Sequence, residues 1–169
     1  AACPDIDAAI GLLRRARMHL DAGLTGFEVM GAFALQLQAR HFPLLRNPLP
    51  ASPWTVLLEL AAGDATEASQ RLSSLMEEAE GLGLASDAVV AGNLAQAHAL
   101  WELRESIPLA QAREGLNIKH DVALPVSAIP DFLRHMDTSL DALVPGVRMV
   151  VFGHLGDGNL HFNVQAPEG

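Results

Sequence analysis

Tyrosine is absent from the 169 residues and cysteine occurs once, at Cys3. No internal disulfide is available to such a chain, which favours a reducing compartment and makes the cytoplasm the expected location. Positive charge is also scarce: 11 Lys and Arg face 20 Asp and Glu, a formal net charge of −9. That balance argues against a nucleic-acid partner, because phosphate binding needs clustered cations that release counterions. The one basic cluster, Arg14, Arg15 and Arg17, sits within a helical pattern and reads as a solvated helix face. No apolar run approaches the ~18–20 residues that cross a bilayer, so no membrane span is expected. The opening "AACPDIDAAIGLL" carries acids where a signal peptide carries bases. It lacks an initiator methionine, and "NVQAPEG" stops just after a strand-like run. Both ends look cut, and the expectation is a piece of a longer protein.

What the chain has is bulk. Half of its residues are apolar, enough to bury a core, and the length suits one domain over 1–169. From 5 to 20, apolar residues at Ile6, Ala9, Ile10, Leu13, Ala16 and Leu20 form the inward stripe of a helix. "TGFEVM" reads as a short strand and "GAFALQLQARHF" as a helix. "PLLRNPLPASP", with four prolines in eleven residues, must be loop. "WTVLLEL" is a nearly continuous apolar run, typical of a strand covered on both faces. A helix follows from Asp64, with Glu67 completing a capping box and Gly81 and Gly83 as its exit. "SDAVVA" is a strand candidate. "NLAQAHALWELRESI" is helical until Pro108, which should kink or end it. "HDVALPV" reads as a strand, and Ser127 as the cap of a helix reaching about Leu143, with Pro130 in its first turn. "VRMVVFGHL" is the last long strand. No strand is followed by G-x-G-x-x-G, which disfavours a doubly wound dinucleotide fold. The expected class is α+β: a ferredoxin-like antiparallel sheet with helices packed on one face.

The stretch "GHLGDGNLH", residues 153–161, carries the chemistry. Asp157-Gly158 is a strong two-residue hairpin signal, since a type I′ turn needs positive φ at both positions. A turn there sets His154 opposite His161 on one face, with Leu155 and Leu160 on the other, and returns Asn163 to the histidine face. Two convergent imidazoles are half of a first-row metal site. On spacing alone a plain polar hairpin tip fits about as well, and Asp157 reads as a turn residue rather than a ligand. His19, His41, His98, His120 and His135 read as structural or exposed. Upstream, Arg104 borders the apolar stripe Ala97, Leu100, Trp101 and Leu103. From there it can stack on Trp101 or reach a carboxylate in bidentate fashion. Lys119 directly precedes a strand. The pair suits an anionic ligand, although surface charges at a helix end and a strand start explain them equally well.

Three stretches taken together carry a resemblance: "WELRESIPLAQAREGLNIKHDVALPVSAIPDFL", "VVFGHLGDGNLHFNV" and the earlier "FEVM…WTVLLEL". They resemble the carboxy-terminal substrate domain of the FAD-linked 2-hydroxy-acid dehydrogenases over nearly the whole chain. G-H-x-G-D-G-N-x-H is the most specific part, joined to R-E-x-I-P and K-H-D at the expected distances. The resemblance implies a divalent metal, usually zinc, on His154 and His161. It implies substrate contacts from Arg104, Lys119 and Asn163. Pro108 stands where some members carry a hydroxyl residue, which leaves the choice of acid open. It further implies FAD held by a preceding domain as partner and a small anionic 2-hydroxy acid as substrate. A third metal ligand and the base are implied on a later S-x-E-H-G segment, beyond Gly169. No catalytic residue is then expected within this chain, which alone should be inert. The oligomeric state stays open. Two other readings compete: a non-catalytic ferredoxin-like module that binds a ligand or pairs subunits, and, weaker, a stand-alone zinc hydrolase.

Overall fold

Asp5 opens the first helix: its side chain accepts a hydrogen bond from the Ala8 backbone N–H at 2.7 Å, a donor that no helical carbonyl can reach. In the computed structural model, which describes residues 1–168, this is α1 (Ile6–Leu20). Gly169, the last residue of the expected domain, lies outside the described residues. The expected stripe of α1 is buried, and Ala8 and Leu12 widen it. A two-residue strand β1 (Ala2–Cys3) precedes α1. Then come β2 (Leu24–Gly31), α2 (Ala32–His41), β3 (Trp54–Leu60), α3 (Ala65–Gly81) and α4 (Leu94–Glu105). The second half comprises α5 (Ile107–Glu114), β4 (Asn117–Ile118), β5 (Asp121–Ala123), α6 (Ile129–Leu143), β6 (Arg148–His154) and β7 (Asn159–Gln165).

The described residues build a seven-stranded sheet, ordered β1-β3-β2-β6-β7-β4, with β5 also paired to β7. Every pairing is antiparallel, and with helices taking up much of the rest the α+β class holds. β1 and β2, joined through α1, flank β3, and β5 and β6, joined through α6, flank β7: two split βαβ units, as in a ferredoxin-like sheet. One detail departs from expectation: helices cover both faces rather than one. Phe27, Val29, Val56, Val151, Leu160 and Phe162 pack in one core with α1, α3 and α6. Met30, Val150 and Phe152, from the alternate positions, pack with Ala34 and Leu37 of α2, Leu103 of α4 and Ile107 and Ala110 of α5. The physical reason is in the runs themselves. "MVVF" in β6 is apolar at consecutive positions, and period-two side chains then present apolar surface both ways.

Other differences are local. Residues 86–91 form only a single bridge, Asp87 to Ala2, because β1 already occupies that edge of β3. Pro108 does end a helix, but it also sits in the first turn of α5, a position that needs no N–H. Ser127 is not the cap of α6. It lies within a 3₁₀ turn at Val126–Ala128, and α6 starts from Ala128 without a side-chain cap. Pro130 falls in the first turn as expected. Asp64 caps α3, accepting from the Glu67 N–H at 2.8 Å, and Gly83 leaves it at φ 70°.

Candidate functional site

The hairpin that carries the histidines turns differently from the sequence rule. Leu155–Asp157 form a 3₁₀ turn, and Gly158 closes it at φ 69°. Asp157 does not take positive φ, so there is no type I′ turn. His154 therefore pairs with Asn159, and His161 with Phe152. The cause is tertiary. The Gly158 carbonyl accepts from the Leu124 N–H at 2.9 Å, and a Cβ on Gly158 would lie 2.0 Å from the Leu124 oxygen. Docking against the end of β5 fixes the turn and overrides the local preference. The expected convergence survives because the loop grows by two residues and the side-chain period is two. His154 and His161 remain on one face, now as diagonal neighbours with ring centroids 6.3 Å apart at 63°.

Cross-strand rows define what surrounds them. One row reads Asp121, His161, Phe152, Met30 across β5, β7, β6 and β2. The next reads Ala123, Asn159, His154, Glu28. Each imidazole meets a carboxylate through Nδ1: His154 with Glu28, and His161 with Asp121 at 2.5 Å. Both Nε2 atoms are left without a protein partner among the described residues. An imidazole held by a carboxylate at one nitrogen and bare at the other is the usual state of a metal-ligating histidine. Two such rings fit half of a tetrahedral shell. Among the described residues, no group of three or more His, Cys, Asp and Glu completes it. The third ligand and the base expected beyond Gly169 fall outside the described residues. The Asn159 Oδ1, one row from His161, is a buried acceptor with no partner.

Arg104, at the end of α4, is 7 % exposed and lies over this face. Its Nε donates to Glu28 Oε2 at 2.8 Å, a single contact rather than a fork. Its guanidinium stacks 4.7 Å above the Phe152 ring, not on Trp101. Trp101 instead donates its indole N–H to Glu59 at 2.7 Å. The two Arg104 Nη groups have no acceptor among the described residues and are not sealed from solvent, so they can take an anion. Lys119, the chain's one lysine, is exposed between β4 and β5. Asn163 lies on the histidine face but under α5, not at its open end. It is 3 % exposed, donates to Gln111 Oε1 at 2.8 Å and accepts from the His120 backbone N–H at 3.0 Å. The remaining histidines behave as read: His19 pairs with Glu78, His41 with Glu114, His120 bonds the Phe162 carbonyl, and His98 and His135 are exposed.

Sequence reading passed over Glu28, the buried carboxylate that joins His154 to Arg104. The signal existed. A lone glutamate in the apolar strand "FEVM" must either face water or be paired, because an unpaired buried charge costs several kcal/mol. A cleft of about 360 Å³ opens beside the site, lined by Glu28, Thr25, Phe27, Trp101, His154 and Asp157 among others. A larger cleft of about 580 Å³, between β3, α3 and α4, has mainly aliphatic walls and none of the histidines. Of these two clefts, only the smaller is lined by one of the paired histidines, His154.

The chain that builds this sheet and site matches one family model along its whole length. The profile described as "FAD linked oxidases, C-terminal domain" covers residues 1–169, and the chain belongs to that family. It is similar to the mitochondrial D-2-hydroxyglutarate dehydrogenase of Rattus norvegicus, 36 % identical over 97 % of this chain and 30 % of the relative. The Arabidopsis thaliana enzyme of that name is 33 % identical over 99 % of this chain and 30 % of its own length. That of Xanthomonas citri pv. viticola is 40 % identical over 69 % and 24 %. The chain thus spans 24–30 % of the length of these relatives. Among the described residues no helix is long and apolar enough to cross a membrane.

Proposed function

We propose that this chain is the substrate-binding domain of a flavin-dependent dehydrogenase that oxidises a D-2-hydroxy acid to the 2-oxo acid. One observation carries the reading: two imidazoles with free Nε2 and an arginine with free Nη groups meet on one face of the sheet. The relatives are named for D-2-hydroxyglutarate and, in Schizosaccharomyces pombe, putatively for D-lactate. His154 and His161 would hold a divalent metal such as zinc through Nε2; when bound it would supply Lewis-acid polarisation of the 2-hydroxyl, with FAD as the hydride acceptor. Arg104 clamps a substrate carboxylate through its Nη pair, and Lys119 adds a second cation from the 117–121 segment. Asn163 serves the substrate site by holding that segment in place through His120. FAD belongs to another part of the protein, as does the base that removes the hydroxyl proton. The lone buried Cys3 agrees with a reducing compartment such as the cytoplasm.

The test uses the FAD-containing protein that carries this chain, kept free of oxygen. Adding D-2-hydroxyglutarate or D-lactate should bleach the visible flavin band with one acid and not the other. Replacing both His154 and His161 by Ala should abolish the bleaching while flavin stays bound. A band that neither acid bleaches, or one that the double variant still bleaches at the original rate, refutes the reading.

A further inference from the structure

We propose that Glu28 is a positioning residue that sets the proton of His154 on Nδ1 and locks that ring to Arg104. The proposal rests on the reading above for what the ring then does, but not for its own geometry. Glu28 is 2 % exposed, and both its oxygens are used: Oε1 on His154 Nδ1 and Oε2 on Arg104 Nε. An arginine Nε can only donate, and it stays charged at any working pH. A carboxylate accepts at both oxygens, so the second oxygen also demands a donor. His154 Nδ1 must then carry hydrogen, which leaves the lone pair of the neutral ring on Nε2. β2 and β6 fix this geometry because Glu28 and His154 are direct partners in the ladder. Phe152 under the guanidinium fixes the arginine from below.

Asp121 stands to His161 as Glu28 does to His154, but its side chain is 73 % exposed. Water competes for that contact, so Asp121 constrains its ring far less. The two histidines are therefore unequal: one is set by a buried, doubly committed carboxylate and the other by an exposed one. Glu28 also ties an anion-binding cation and an imidazole to the same two oxygens. Moving one moves the other.

The variant E28Q isolates this role, because glutamine has the same shape but one acceptor and one donor. Arg104 claims the acceptor. The amide N–H₂ then faces His154 Nδ1, which must become the acceptor and pass its proton to Nε2. The experiment is long-range ¹H–¹⁵N spectroscopy on the full chain with ring-labelled histidine at about pH 8, above the ordinary imidazole range. His154 is assigned by its loss in H154A. Zinc chloride is then titrated against a chromophoric chelator on the FAD-containing protein that carries this chain. The wild-type ring should carry its proton on Nδ1, and E28Q should carry it on Nε2. Zinc affinity should fall 10–100-fold in E28Q and less than tenfold in D121N. A wild-type ring protonated on Nε2 overturns the proposal even if E28Q does not fold. So does an E28Q ring that keeps the wild-type tautomer. If the tautomer moves as expected while the wild-type FAD-containing protein that carries this chain binds no zinc, Glu28 keeps its positioning role and the metal reading fails instead.

Discussion

Replacing Gly158 by alanine should cost far more than its position at a hairpin tip suggests. Two terms add. At φ 69° a Cβ meets the left-handed penalty of about 1–2 kcal/mol. The new atom would also lie 2.0 Å from the Leu124 carbonyl oxygen, a backbone atom that cannot rotate away. Forcing β5 outward to relieve that overlap costs about 1–3 kcal/mol by analogy with overpacked cores. The sum is about 2–5 kcal/mol, or on the order of 10 °C in melting temperature for a chain of this size. Gly146 supplies the control. Its φ is 80°, and the nearest atom to a Cβ there is a side-chain carbon at 3.6 Å, ordinary contact distance. G146A should therefore show the first term alone. Urea unfolding of the two variants at neutral pH, with the slope held common, measures the difference directly. G158A should be less stable than G146A by at least about 1 kcal/mol. Equal stabilities would mean that the turn does not dock on β5 as described, and the account of the histidine register would fall with it.

Two further outcomes follow from groups away from the site. Glu114 accepts from His41, Arg148 and Arg40, and these contacts, His41 first, hold its carboxyl below the usual range although burial opposes them. A depressed carboxyl stabilises the fold above its unfolded pKa and loses that contribution as pH falls through the folded value. E114A should thus lower stability by about 1–3 kcal/mol at pH 7, and by less at pH 4. A gap in urea unfolding that is constant or wider at pH 4 contradicts the assignment. Burial pushes the Cys3 thiol up to about 11, so at pH 8 only about a thousandth is thiolate, the reactive form. Native chain should react with a disulfide reagent at least a hundredfold more slowly than urea-unfolded chain, and equal rates would contradict the burial.

The parts of this molecule legible in its sequence are those set by period and by local chemistry. α1, the cap at Asp64, the proline-rich loop and the break at Pro108 each depend on neighbours a few residues away. So does the sharing of one face by His154 and His161, since parity outlives a change in loop length. What escaped the sequence depends on distant partners. Glu28 and Arg104 are 76 positions apart, and only the folded ladder shows that one needs the other. The turn type at Gly158 is decided by Leu124, just past the end of β5 and more than thirty residues away, which local rules cannot see. The covering of both faces follows from "MVVF" in β6, whereas the expected class had helices on one face only.

β7 shows why that second face matters. Its alternation sends Leu160, Phe162 and Val164 into one core and Asn159, His161, Asn163 and Gln165 to the other side. There α5 covers the far end, so Asn163 and Gln165 are buried, and Gln111 descends from the helix to meet Asn163. Gln111 Nε2 and Gln165 Oε1 stay unpaired, each at a cost of about 1–3 kcal/mol. Aliphatic side chains in this column would remove those losses, so stability alone does not account for it. Position does. Asn163 holds the His120 backbone, which places Lys119 one residue away, while His161, two residues along the same strand, faces His154. One strand thereby fixes how far the exposed lysine stands from the imidazole pair, and a slip of β7 by one residue would separate them all.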